Sequence, residues 1–317
     1  MYCCAIDLAL NKPTDMYLDY CLRYIEMLLS HKITIYLVFD GAKLPAKKDQ
    51  ESMRAQNRQL RFQQAMEFYH KHEIEKAKEK FASSIDVTPQ LAYNLYEAVR
   101  GKPNIHCIVA PNEADAQLAY LCRSGIVDFV ISEDSDLLAF GTPRVFFKMG
   151  REGWGEEIRI QDFDNNKDLA LSSWTHNMFL YFCIFQGCDY LPNVAGVGAK
   201  SAHKLVQAYR NYSQIITIMK MQKGNKVCDD YQERFERAVL TFRFQKVYCP
   251  LKEKIVHLNE LPLEDLEARY GTNFPITMHQ EDEEEQQKWN YYENNILERS
   301  IIFQIIRKEF SWDFLGE

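Results

Sequence analysis

Apolar side chains recur at helical spacing over residues 14–30, at Leu18, Cys21, Leu22, Ile25, Leu28 and Leu29. The pattern then changes, because "ITIYLVFDG" from Ile33 is a short β-rich run that ends in Asp40 and Gly41. A polar, charged helical stretch follows from about Pro45 to Phe81, and a second helix from about Thr88 to Arg100. Further strands are predicted at 105–111, 127–132 and 144–149, with a helix over 112–124 between the first two. Short apolar strands alternating with helices predict a parallel sheet covered on both faces. The fold class is α/β.

From about residue 162 the helical pattern dominates, through "HNMFLYFCIFQGCDY", "AKSAHKLVQAY" and "YQERFERAVLTFRFQKV". The expected organisation is therefore an α/β core over 1–160, a helical region over 161–258 and a poorly patterned tail over 259–317. That tail carries an acidic run at 281–285, which reads as a solvated segment. No internal repeat is visible.

Length and charge add limits. A chain of 317 residues with 46% hydrophobic and 26% charged residues can bury a large core. No apolar run approaches the roughly 18 to 20 residues of a membrane span. No basic segment with a cleavage site opens the chain, so a secretory signal is not expected. The nine cysteines are scattered without any Cys-x-x-Cys pair, which argues against a zinc ribbon and for reduced thiols in an intracellular protein. The net charge of -7 disfavours a simple polyanion binder, although totals conceal local patches.

The candidate chemistry is acidic. In open α/β sheets ligands bind beyond the carboxyl ends of the parallel strands. Asp40 closes the first strand-like run, Glu113 and Asp115 follow the second, and Asp134 and Asp136 follow the third. Asp189 lies at the end of an apolar helix. Such a set repels itself unless cations neutralise it, and carboxylates suit Mg²⁺ or Mn²⁺. Singly, each acid has a plainer reading: a turn at Asp40, a helix-dipole contact at Glu113, a cap at Asp134. "VISEDSDLL" also imitates an aspartyl phosphatase, but Leu137 and Leu138 stand where that motif wants other residues.

Two further signals point toward phosphate. Pro45 suits a helix start, and Lys47, Arg54, Arg58 and Arg61 follow at spacings of seven, four and three, which predicts one cationic face. A solvated surface is the plain reading, and guidance of a phosphate backbone toward metal ions is the functional one. In "LPNVAGVGAKSAHKLV", Gly196-Val197-Gly198 between two helices can present backbone N–H groups to a phosphate, with Lys200 and Lys204 nearby. Ala199 stands where a Walker A loop needs glycine, so an NTPase is not expected.

"LVFDGAKLPAKK", "VAPNEADAQLAYL", "VISEDSDLLAFG" and "QGCDYLPNVAGVGAKSAHKLV" together resemble the signature blocks of the structure-specific 5′ nucleases, the flap endonuclease and XPG-like superfamily, nearest its exonuclease 1 branch. The resemblance runs from about residue 4 to 270. It implies a PIN-like parallel-sheet core with a helical arch over about 45–81 and a C-terminal helix–two-turn–helix. It implies that Asp40, Glu113, Asp115, Asp134, Asp136 and Asp189 hold two Mg²⁺ (or Mn²⁺) ions. Lys47 and Arg54 would be catalytic at the scissile phosphate, and Arg58, Arg61, Gly196, Gly198, Lys200 and Lys204 would bind DNA.

A K⁺ ion at the helix–two-turn–helix is implied as well, with a carbonyl from Val197, although Gln186 and Asn193 stand where the family offers hydroxyls. The implied partner is duplex DNA with a 5′ end, nick or flap, cut by a monomer alongside repair proteins, in the nucleus and away from membranes. The family also opens on a central strand ending in a further metal-binding Asp, which Asp7 does not replace. An opened sheet is expected where that strand would lie. A DNA-binding protein with impaired catalysis and a small-substrate phosphatase remain as rivals.

Overall fold

The computed structural model describes residues 4–166 and 169–261, and the backbone of 305–307. The apolar runs form one sheet. β1 (Thr34–Phe39) pairs in parallel with β2 (Ile105–Val109), placing Ile35 opposite Ile105 and Phe39 opposite Val109. β3 (Phe129–Ile131) pairs in parallel with β4 (Arg144–Phe147), and β5 (Glu156–Arg159) adds antiparallel to β4. Between the two parallel pairs lies the backbone of β8 (Ile305–Arg307), antiparallel to both β1 and β3. The order is β2-β1-β8-β3-β4-β5.

Two expectations are corrected here. The sheet is mixed rather than parallel throughout, and its centre is closed by residues 305–307 rather than open. β5 escapes a pattern reading because "EEIR" has no apolar alternation. It is an edge strand tied down partly by charge, with Glu157 paired to Arg144 and Arg159 and Glu156 accepting from Lys148 at 2.8 Å. The acidic run at 281–285 and most of the tail lie outside the described residues.

Strand alternation decides which helices cover which face. Ile35, Leu37 and Phe39 point to one side, where α2 (Met16–Ser30) and α5 (Pro89–Val99) supply Ile25, Leu28, Leu95 and Val99. Val38 points to the other, against Leu118 and Leu121 of α6 (Ala114–Arg123). Each fully buried Ile or Leu contributes roughly 2 kcal/mol of transfer free energy.

The stretch predicted over 45–81 divides into two helices. A short turn at Pro45–Lys47 leads into α3 (Lys48–His70), and α4 (Ile74–Ala82) folds back on it. The break falls at His72, whose φ of 58° is left-handed. Ala65 and Ala77 let the helices approach closely, and Phe62 and Tyr69 set their rings 5.8 and 6.1 Å from that of Phe81. α1 (Ala5–Ala9) joins the same cluster through Ala5.

The short α7 (Asp136–Ala139) follows β3, and after the sheet α8 (His176–Gln186), α9 (Ala199–Tyr209), α10 (Tyr212–Lys223) and α11 (Tyr231–Phe244) share a core around Phe185, Val206, Met219 and Phe235. Ala116 and Ala119 of α6 and Phe140 belong to that core too, so the helical region is packed onto the sheet layer. The last predicted helix ends earlier than expected, at Phe244. A hairpin of β6 (Lys246–Cys249) and β7 (Lys254–His257) follows. The signal was present, since Val247 and Cys249 alternate inward. No disulfide joins the described cysteines. No described helix is long and apolar enough to cross a membrane.

Candidate metal centre and phosphate-binding surface

Five of the six acids lie beyond the carboxyl ends of β1, β2 and β3. Gly41 makes the first junction possible. A Cβ there would sit 1.8 Å from the Ala110 carbonyl oxygen, so only glycine lets the chain leaving β1 lie against the chain leaving β2. Gly41 N–H donates to Asn112 O at 2.7 Å and Ala42 N–H to Pro111 O at 3.0 Å. Asp40 is thereby held beside the start of α6, where its Oδ1 accepts the Ala114 N–H at 2.8 Å. Asp134 Oδ1 accepts the Asp136 N–H at 2.9 Å, and Ser132 Oγ accepts the Asp134 N–H at 3.0 Å. The plainer reading of Asp134 as a cap is not met, since Ser135 is the N-cap of the short helix that follows and Asp134 instead accepts from the chain two residues on.

Asp189 comes from elsewhere, in the loop after α8, and meets the cluster through cations. Lys47 Nζ lies between Glu113 and Asp189, 3.0 Å from the latter, and Arg54 donates to Asp189 Oδ1 at 2.6 Å. Among the described residues no three acidic, Cys or His side chains are drawn together tightly enough to enclose a metal ion. The cause is visible: Lys47 and Arg54 hold two of the carboxylates, and backbone donors turn two others.

The donor set nevertheless suits a hard divalent cation. Asp115 is buried and its Oδ1 has no hydrogen-bond partner. Burial, and then the charges of Asp134, Asp40 and Glu113, push the Asp115 carboxyl well above its ordinary range. Burial likewise lifts Asp40 to about 6, against the Ala114 hydrogen bond and helped by Glu113. Asp136 rises to about 7 by burial and the charges of Asp134 and Asp189. For Lys47, burial opposes the charge, but Glu113 and Asp189 outweigh it and hold the ammonium protonated. A group of carboxylates that each resist ionisation stores repulsion that a divalent ion would relieve.

Sequence reasoning missed two residues behind this cluster. Tyr190 OH donates to Glu113 Oε2, and Gln245 Nε2 donates to the same oxygen at 2.6 Å and to Tyr190 OH at 2.9 Å. Gln245 is 2% exposed and Glu113 8%. Together they fix one oxygen of Glu113 and leave the other to Lys47. Tyr190 at least sits in the quoted "GCDYLP" block, whereas nothing in the local pattern marks Gln245. Gln245→Leu should leave the fold intact but weaken divalent-ion binding by roughly tenfold, read as a rightward shift in a Mn²⁺-binding titration.

The four predicted cations do not share one environment. Lys47 and Arg54 face the acids, while Arg58 pairs with Asp86 at 3.0 Å and Arg61 donates to Ser83 O at 3.3 Å. The single cationic face expected from spacing is therefore divided, because the link between α4 and α5 supplies acceptors to its far half. An open cleft of about 440 Å³ runs from Asp134, Asp136 and Arg54 past Asp189 to Pro192 and Asn193. It ends at Asn193, whose Nδ2 donates at 2.9 Å to Val197 O of the Gly196–Gly198 turn that precedes α9. Gly198 is the N-cap of α9 and offers no side chain to the first turn. Lys200 and Lys204 lie exposed on that helix.

Both halves of the α/β layer are similar to known proteins. Residues 1–61 match the XPG N-terminal domain and residues 104–189 the XPG I-region. Exonuclease 1 of Danio rerio is 40% identical over 265 residues, covering 82% of this chain and 33% of that protein. Exonuclease 1 of Arabidopsis thaliana is 38% identical over 258 residues, covering 81% of this chain and 35% of that protein. The chain thus spans about a third of the length of these relatives. The catalytic core of Rad2 in complex with DNA substrate has a similar fold, with a TM-score of 0.53 at 18% identity over 84% of this chain and 85% of that one. With an α/β sheet carrying its acids beyond the strand ends and both signature regions in sequence order, the chain belongs to the XPG-like family of 5′ nucleases, close to the exonuclease 1 proteins.

Proposed function

We propose that this protein hydrolyses phosphodiester bonds near 5′ ends in duplex or flapped DNA, in repair and recombination in the nucleus. The observation that carries the reading is the gathering of Asp40, Glu113, Asp115, Asp134 and Asp136 beyond three strands, with Lys47 lodged against Glu113 and Asp189. Those six carboxylates would hold two divalent ions, Mg²⁺ or Mn²⁺. Such ions supply Lewis acidity that activates a water and stabilises the leaving oxygen.

The chain's own residues do the rest. Tyr190 and Gln245 orient Glu113. Lys47 and Arg54 leave the carboxylates for the scissile phosphate and offset the charge that develops there. Arg58 and Arg61 extend the cationic path along α3 and α4 only once DNA phosphates displace Asp86 and the Ser83 carbonyl from them. Gly196, Gly198, Lys200 and Lys204 grip the duplex backbone without reading bases, which sets the distance from the grip to the cut. Residues 1–160 act as the nuclease core and 161–258 as the DNA-binding region of a monomer.

Lys47→Met separates these roles. In EDTA it should lower the thermal midpoint, because Glu113 and Asp189 lose their counter-charge. Divalent-ion binding should tighten, since a competing ammonium is gone, while cleavage at saturating Mg²⁺ falls roughly 100-fold or more. Looser metal binding by the variant would contradict the placement of Lys47.

The proposal itself is tested by incubating the chain with 5′-labelled nicked and flapped duplexes, in Mg²⁺ and in EDTA. Mg²⁺-dependent release of labelled products supports it. Binding without cleavage favours the second reading, a DNA-binding protein with impaired catalysis, for which the ion pairs of Lys47 with Glu113 and Asp189 are the motivating observation.

A further inference from the structure

The turn between α8 and α9 is where the family resemblance implies a K⁺ ion, and its carbonyl groups do not fit that role. Asn193 Nδ2 donates to Val197 O at 2.9 Å, so the carbonyl expected to face the ion already accepts an amide N–H. Lys223 Nζ donates to Gly196 O at 3.2 Å, so the neighbouring carbonyl is met by an ammonium. Two adjacent carbonyls of one turn are therefore satisfied from within the chain.

Lys223 is well placed to hold this position. It is the last residue of α10, where a cation is favoured by the helix dipole. Lys220 of the same turn is drawn away, donating to Asp229 O at 3.2 Å, which leaves Lys223 as the one directed at the hairpin. Gly196 has a φ of 80°, and a Cβ there would lie 3.2 Å from Lys223 Nζ. The absence of a side chain is thus what admits the ammonium against the turn. An ammonium carries the same unit charge as K⁺ and is drawn to the same carbonyl oxygens.

We infer that Lys223 is a tethered substitute for the monovalent cation: it braces the Gly196–Gly198 turn and supplies the positive charge that a bound K⁺ would bring to the DNA backbone. The hairpin then grips duplex DNA equally well whichever monovalent salt surrounds it. This rests on the reading above that the hairpin holds DNA.

The test is binding of a fluorescent nicked duplex, followed by anisotropy in EDTA so that nothing is cut. Chlorides of K⁺, Na⁺ and tetramethylammonium are compared at one ionic strength of roughly 0.1 M. The wild-type affinity should agree across the three within about twofold, with the salt slope unchanged. Lys223→Met should bind roughly tenfold more weakly in tetramethylammonium, and Lys223→Arg should retain most of the affinity. Wild-type binding that is several-fold tighter in K⁺ than in tetramethylammonium overturns the inference and needs no variant to do so. Lys223→Met binding as well as wild type in tetramethylammonium overturns it too. No DNA binding in any salt would overturn the underlying nuclease reading, and this inference with it.

Discussion

Asp136→Asn should abolish Mg²⁺-dependent cleavage, by roughly 1000-fold or more, and at the same time raise the thermal midpoint measured in EDTA. Both effects follow from one arrangement. Asp136 is lifted to about 7 by burial and by the charges of Asp134 and Asp189, so at neutral pH the metal-free fold carries it partly protonated and partly strained. Asparagine keeps the shape and removes a charge from a site that already has too many. Relief of about 1 kcal/mol would appear as a gain of about 1–2 °C in a chain of this size. Asp115→Asn should behave alike, because Asp115 is more deeply buried and its Oδ1 meets no donor. Activity and stability moving in opposite directions is the signature of a functional acid cluster. A variant that lost stability together with activity would mark Asp136 as structural instead.

The second large effect is on pH. Asp40 and Asp136 have folded-state values of about 6 and about 7, against 3.8 for an unperturbed Asp. Between about pH 4 and 7 the folded chain therefore binds more protons than the unfolded one, so stability falls as pH rises through that window. The contribution is fully present below the ordinary carboxylate range and is lost as pH passes the folded values. Together the two groups oppose the fold at the alkaline end of the window by on the order of a few kcal/mol. Thermal unfolding in EDTA from pH 5 to 8 should show a falling midpoint, and millimolar Mg²⁺ should restore stability chiefly at the alkaline end, where the carboxylates are ionised. A midpoint that rose with pH in EDTA would show that these carboxylates are not confined together.

Much of this was legible before any coordinates. Apolar strands ending in Asp40, and Asp134 and Asp136 set just past another strand, place acids at one edge because a parallel arrangement leaves all strand ends on one side. Asp189 could be joined to them only through resemblance, since its approach depends on how α8 packs. Gln245 was invisible for the same reason: its hydrogen bond to Glu113 spans 132 residues. Arg58 and Arg61 share the spacing of Lys47 and Arg54, but spacing describes one helix and says nothing of Asp86 or Ser83 across from it. The strand at 305–307 is set by backbone pairing on both sides, and its two isoleucines, Ile305 and Ile306, do not by themselves say which sheet position they take. The division of 45–81 into α3 and α4 also escaped notice, because Ala65, Ala77 and Phe81 form too small a cluster to interrupt a charged sequence.

The central claim is that the carboxylate cluster, against which Lys47 and Arg54 lie, is a divalent-metal centre. Its most direct test is a titration of the chain with Mn²⁺, counting bound ions by electron paramagnetic resonance at neutral pH, beside Asp136→Asn. The account predicts that the wild-type chain binds two ions and that the variant loses at least one of them. Equal uptake by the two proteins, or no uptake by the wild-type chain at millimolar Mn²⁺, would contradict it.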